Sequence, residues 1–126
     1  MIHLDTNFLI SSLRAGSIEQ QKMLGWLSAS EPVNLSAVAW AEFLAGPLTA
    51  NDETVARSLF TQPEPLLAAD AEFAAKLFNQ TGRRSRSLAD CMIAAVAIRC
   101  SAPLATLATL NNTDFSLFVP HGLRFT

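Results

Sequence analysis

The chain has 126 residues, half of them hydrophobic and only 16% charged, with a formal net charge of -2. That describes one globular domain over residues 1–126 with one sizeable core, and it excludes a disordered chain. It also excludes binding to nucleic acid through the overall field, so such a role would need a local basic patch.

The first element is short and buried: residues 2–5 read as a strand ending on Asp5, a carboxylate followed by the small polar pair Thr6 and Asn7. Residues 7–15 read as a helix stopped by Gly16, and residues 18–27 as an amphipathic helix with Ile18, Met23, Leu24, Trp26 and Leu27 on one side. Residues 32–35 form a second strand. Ser36 then stands as an N-cap before a helix that Gly46-Pro47 ends. Residues 52–59 suggest another helix. Residues 64–67 suggest a weak third strand, flanked by Pro63 and Pro65. Asp70 reads as the N-cap of a helix over 70–78. A very apolar helix spans 88–100, a fourth strand 103–105, and a helical turn surrounds Asp114, with a last strand near Phe118 or Phe125. Strands alternating with helices imply an α/β fold whose parallel sheet is covered on both faces, with its site beyond the carboxyl ends of the strands.

The remaining composition is quiet. No apolar run approaches the ~18 residues of a membrane span. An acid at position 5 argues against a secretory leader, so a cytoplasmic protein away from membranes is expected. Cys91 and Cys100 share one helix on opposite faces, about 13.5 Å apart along its axis, and cannot form a disulfide. His3 and His121 make no zinc-ligand pattern and read as structural or exposed. Trp26, Trp40 and Phe43 read as core packing.

Most of the acids have polar neighbours and read as solvated, among them Glu19, Glu31, Asp52, Glu53, Glu64 and Glu72. Four do not. Asp5 ends a strand, Glu42 sits inside Val38-Ala39-Trp40-Ala41-Glu42-Phe43-Leu44, Asp90 opens an apolar helix, and Asp114 follows the fourth strand. Each has an ordinary explanation. Asp5 can cap a helix, Glu42 can pair with an arginine, Asp90 can close a capping box with Ser87, and Asp114 can serve a turn. Together they can converge on one sheet edge, where an oxygen-only cluster suits a hard divalent cation such as Mg²⁺ or Mn²⁺.

The segments HLDTNFLI, SAVAWAEFLAG, LADCMIAAVA and LATLNNTDF, in this order and spacing, resemble the PIN domain, specifically the VapC-type toxins of toxin–antitoxin pairs. The resemblance spans nearly the whole chain. It implies a three-layer α/β/α fold around a parallel sheet of four or five short strands. It also implies a Mg²⁺- or Mn²⁺-dependent endoribonuclease, a homodimer, and a small cognate antitoxin that inhibits it. Asp5, Glu42, Asp90 and Asp114 match the four acidic positions of the family, with Thr109, Asn111 and Phe115 matching around the last. Asp5 and Asp90 are expected to ligate the metal directly. Glu42 is expected to orient water, ligate or act as base, and Asp114 to help with a second ion or act through water.

Thr6, Asn7, Thr109 and Asn111 are expected to hydrogen-bond the carboxylates, which metal sites generally need. Arg83, Arg84 and Arg86, a few residues before Asp90, are expected to hold RNA phosphates. Three rival readings stand beside this one. A PIN nuclease outside toxin biology would use the same acids. An inactive PIN-like scaffold would not need all four filled. A phosphotransfer domain with Asp5 as acceptor leaves Glu42 and Asp90 unexplained.

Overall fold

The structure, a computed structural model, describes residues 1–81, 88–102 and 104–126. Four short strands, β1 (Ile2–Leu4), β2 (Val33–Leu35), β3 (Ala105–Ala108) and β4 (Leu123–Phe125), form one sheet in the order β2-β1-β3-β4. All three pairings are parallel. Among the described residues seven α-helices surround it: α1 (Thr6–Ser12), α2 (Ile18–Ser28), α3 (Ala37–Ala45), α4 (Ala50–Leu59), α5 (Ala68–Gln80), α6 (Leu88–Cys100) and α7 (Asn112–Phe115). This is the three-layer α/β/α arrangement of the sequence reading, with four strands.

Local chemistry sets the helix starts. Asp5, Ser17, Ser36 and Thr49 each stand in extended backbone, and each accepts a backbone N–H of the helix that follows. Helix α6 is apolar nearly all round, and Cys91 and Ile93 to Ala97 are buried, so it lies in the core against α5 and β3. Cys91 and Cys100 form no disulfide. The aromatics behave as core: Phe43 is buried on α3 and stacks with Trp40, and Phe8 stacks with Trp26.

Several expectations are corrected. Glu64 makes only a single bridge to Ser36, so residues 64–67 are not a strand; the flanking prolines remove donors a ladder needs. The strand expected at 103–105 lies at Ala105–Ala108, and Pro103 falls outside the described residues. Phe118 belongs to a 3-10 turn, and the last strand is the one containing Phe125. Asp70 is not an N-cap. It lies in the first turn of α5, where its carboxylate accepts the Leu67 N–H at 2.9 Å. The apolar side of α2 does not face the core either: Met23 alone is buried, while Ile18, Leu24 and Leu27 are exposed.

His3 sits buried on the central strand. Its Nε2 meets the Ser101 hydroxyl at 3.1 Å, and its Nδ1 has no partner among the described residues. Burial above all, then the N-terminal ammonium, lowers its pKa to about 4, with Glu64 opposing and Arg99 adding to the drop. A histidine depressed from 6.5 gives stability that is present above pH 6.5 and lost as pH falls towards 4. Urea denaturation at pH 7 and pH 5 should show the wild type losing about 2 kcal/mol more than His3→Gln over that interval. Equal losses in the two proteins would place His3 outside the acid response.

Candidate active site

The chain passes from β1 to β2 on one side and later to β3 on the other. The carboxyl ends of β1 and β3 therefore flank the point where the strand order reverses, the crevice in which open α/β sheets bind ligands. Asp5 leaves β1 there, and its N–H donates to the Ala108 carbonyl of β3 at 2.9 Å. The Asp5 carboxylate is buried and held from both sides. Oδ1 accepts the Thr6 N–H at 2.8 Å, and Oδ2 accepts the Thr109 hydroxyl at 2.9 Å. The opening acid is thus both the N-cap of α1 and one wall of the crevice.

Thr109 is fixed in turn, since its Oγ1 accepts the Asn111 N–H at 2.9 Å. Thr6 reaches the other way. Its hydroxyl donates to Glu42 Oε1 at 3.0 Å, with the Ala39 carbonyl 3.4 Å away as a second acceptor. A chain of short bonds thus runs from Asn111 through Thr109, Asp5 and Thr6 to Glu42 on α3. Glu42 itself is exposed, contrary to the buried position its apolar neighbours suggest. Helix α3 turns Phe43 inward and Glu42 out into the crevice.

Burial pushes the Asp5 carboxyl above the ordinary carboxylate range. Hydrogen bonds from Thr109 and Thr6 oppose that rise, and the charges of Glu42 and Asp114 add to it. Asp5 therefore feels two of the other three singled-out acids. The fourth, Asp90, is half-buried in the first turn of α6, which leads into β3 and so begins at the carboxyl end of the sheet.

The expected supporting residues divide. Thr6 and Thr109 bond the carboxylates as expected, whereas Asn111 contributes only its backbone N–H. Asn7 points to solvent and makes no side-chain hydrogen bond among the described residues. Arg83, Arg84 and Arg86 lie outside the described residues. Between the end of α1, the end of α3 and the start of α4 opens a slot of about 180 Å³. Nothing in the sequence marked it: Phe43 reads as core, Gly46-Pro47 as a helix stop and Asp52 as a solvated acid.

Among the described residues no three Asp, Glu, His or Cys side chains gather into a group that could hold a metal. Asp5, Glu42, Asp90 and Asp114 therefore make no such group, and Thr6 stands between Asp5 and Glu42, bonded to both. The donor set still fits a hard cation. Mg²⁺ commonly takes one or two carboxylates and keeps several waters, and each Asp5 oxygen retains a lone pair beyond its one hydrogen bond.

Comparison with known proteins agrees with this geometry. A solved structure of FitAcB from Neisseria gonorrhoeae is 28% identical over 93% of this chain and 92% of that one, with a TM-score of 0.67. A structure of FitAB bound to an IR36 DNA fragment is 24% identical over 99% and 94%, with a TM-score of 0.69. VapBC2 from Rickettsia felis, bound to a DNA fragment from its promoter, is 20% identical over 100% and 99%, with a TM-score of 0.74. No curated protein sequence matches the chain. The family model of the PIN domain matches residues 2–116, and the chain therefore belongs to the PIN domain family, whose members are generally nucleases.

Proposed function

We propose that this PIN protein is a Mg²⁺- or Mn²⁺-dependent endoribonuclease and the toxin of a toxin–antitoxin pair. The observation that carries the nuclease reading is Asp5: a buried carboxylate at the reversal point of the sheet, clamped by Thr6 and Thr109 and facing the charges of Glu42 and Asp114. Burying an acid so close to other acids works against folding and calls for a compensating cation. Asp5 and Asp90 would hold that cation, with Asp114 helping directly or through water. When bound, it supplies a lowered pKa for the attacking water and charge relief at the phosphate.

The chain's own groups do the rest. Glu42, exposed and oriented by the Thr6 hydroxyl, would turn the attacking water and take its proton. Thr109 keeps the Asp5 carboxylate in one orientation. Arg83, Arg84 and Arg86 would draw the phosphate backbone towards the crevice.

The partners follow from the same reading. Ile18, Leu24 and Leu27 on α2 and Val55 and Leu59 on α4 are exposed apolar residues. Most of them border an open cavity of about 370 Å³. Such a patch supports a protein partner, the antitoxin or a second copy. The likeness to FitAB and VapBC2 supports an antitoxin. Among the described residues no helix is long and apolar enough to cross a membrane, and the toxin would act in the cytoplasm.

The test is cleavage of total RNA, and of single-stranded DNA of matched length, by the purified protein with Mg²⁺, with Mn²⁺ and with a chelator. The expected result is RNA fragments that appear only with metal and are lost on adding a purified cognate antitoxin. Cleavage of DNA in preference to RNA would turn the reading towards a PIN nuclease of another kind. Intact RNA under all metals would favour a binding scaffold.

A further inference from the structure

Thr6 bonds two acids with two different groups. As the first residue of α1 it gives its backbone N–H to Asp5 Oδ1 at 2.8 Å, and its hydroxyl donates to Glu42 Oε1 on α3 at 3.0 Å. A threonine hydroxyl carries one proton and makes one full hydrogen bond at a time. This one has a second acceptor in reach, the Ala39 carbonyl at 3.4 Å. Thr6 is buried, so losing the Glu42 bond without that alternative would orphan a buried donor. With it, the hydroxyl can release Glu42 and turn to Ala39, three residues earlier on the same helix.

The two acids differ in freedom. Asp5 is clamped on both oxygens, by Thr6 and by Thr109. Glu42 is exposed, and among the described residues its side chain makes one hydrogen bond, the one to Thr6. In that pose no three of Asp5, Glu42, Asp90 and Asp114 gather into a group that could hold a metal. For Glu42 to ligate an ion beside Asp5 and a third acid, a carboxylate has to move. Asp5 is fixed, and Glu42 is tethered at one point.

We propose that the Thr6 hydroxyl sets the role of Glu42 at an ion held by Asp5. Bonded to Thr6, Glu42 stays outside the ligand set and is left to act on water; released, it becomes a further ligand. This rests on the metal-dependent reading above. Thr6 is then a positioning residue whose hydroxyl competes with the ion for one carboxylate. The competition has a sign of its own. Removing an outer hydrogen-bond partner from a metal site ordinarily weakens the metal by roughly 10–100-fold. Removing this one should tighten it.

The experiment titrates Mn²⁺ into the full chain by calorimetry and counts the waters left on bound Mn²⁺ by water-proton relaxation. Thr6→Val keeps the branched shape and loses the hydroxyl. It should bind Mn²⁺ about tenfold more tightly, because added ligand charge raises affinity, and it should hold one water fewer. Cleavage at saturating Mn²⁺ should fall by on the order of a hundredfold, as a ligating Glu42 no longer takes a proton from water. Thr6→Ser, which restores the hydroxyl, should restore the wild-type affinity and water count. In a Glu42→Gln background Thr6→Val should no longer tighten binding.

A wild type that binds no Mn²⁺ overturns the metal-dependent reading and this proposal with it. A wild type that binds, beside a Thr6→Val that binds equally or more weakly, overturns the proposal alone. Should Thr6→Val fail to fold, Glu42→Gln decides by itself. An unchanged water count places Glu42 outside the ligand set as proposed, and one water more shows that it already ligates and overturns the proposal.

Discussion

Asp5→Asn should abolish metal-dependent cleavage, by on the order of a thousandfold, while leaving the protein at least as stable as the wild type. The two effects separate because Asp5 has two tasks. As the N-cap of α1 it needs only an acceptor for the Thr6 N–H, now 2.8 Å away, and asparagine caps about as well as aspartate. Its amide can also donate to the Thr109 oxygen, whose two lone pairs serve both that bond and the Asn111 N–H. As a wall of the crevice, in contrast, it needs charge.

The stability sign follows from the shift. The folded carboxyl is raised above its unfolded value, so it favours folding only below that value and opposes folding once ionised at neutral pH. Asparagine removes that opposition. Thermal unfolding at pH 7 beside the cleavage assay checks both halves. A variant that melts well below the wild type would mean that Asp5 is chiefly structural, and one that still cuts would move the chemistry elsewhere.

The largest stability effect is expected at Asp70→Ala. Asp70 is 3% exposed, and both its oxygens accept Arg99 Nε, at 2.9 and 3.0 Å. One of them also takes the Leu67 N–H that opens α5. Arg99 continues to the Pro65 carbonyl at 2.9 Å. One side chain thus fastens α5, the end of α6 and the segment before α5. Its hydrogen bond to Arg99 raises the guanidinium pKa still further. Removing the buried member of such a pair typically costs about 3–5 kcal/mol; the partial exposure of Arg99 points to the lower end. A loss of about 3 kcal/mol would lower the melting temperature by about 10 °C in a domain of this size. The urea midpoint should fall with its slope unchanged. Asp70→Asn, which keeps an acceptor for Leu67, should lose less; equal losses would mean the arginine pair, and not the cap, carries the energy.

The sequence was most legible where one local rule decided the outcome. Ser36 and Gly46 bound α3 as expected, and α6 occupies its expected span because a helix apolar on every side has only the core to occupy. Asp5 was legible as an alternative between cap and site wall; it caps α1, and its place in a site belongs to the proposed function. The failures come where tertiary surroundings overrule the local pattern. Glu42 looked buried from its neighbours, yet its side chain leaves α3 towards an open crevice and finds Thr6. Apolar spacing in α2 looked like a core stripe, yet most of it faces outward. Pro63 and Pro65 left the segment at Glu64 one bridge instead of a strand. Spacing alone also could not separate Thr6 and Thr109, which turn inward to the carboxylates, from Asn7, which turns outward.

The bond between Thr109 and Asp5 joins residues 104 positions apart in the chain. At a synthesis rate of about 5–20 residues per second, Asp5 therefore leads its partner by roughly 5–20 s. Until then the nascent chain carries a carboxylate at the end of a strand whose neighbour β3 does not yet exist. No leading fragment holds the clamp, so on the proposed function a ribosome making this protein would not be exposed to its activity until synthesis is nearly complete. On the proposed function, an antitoxin already present would meet each molecule as its crevice first closes.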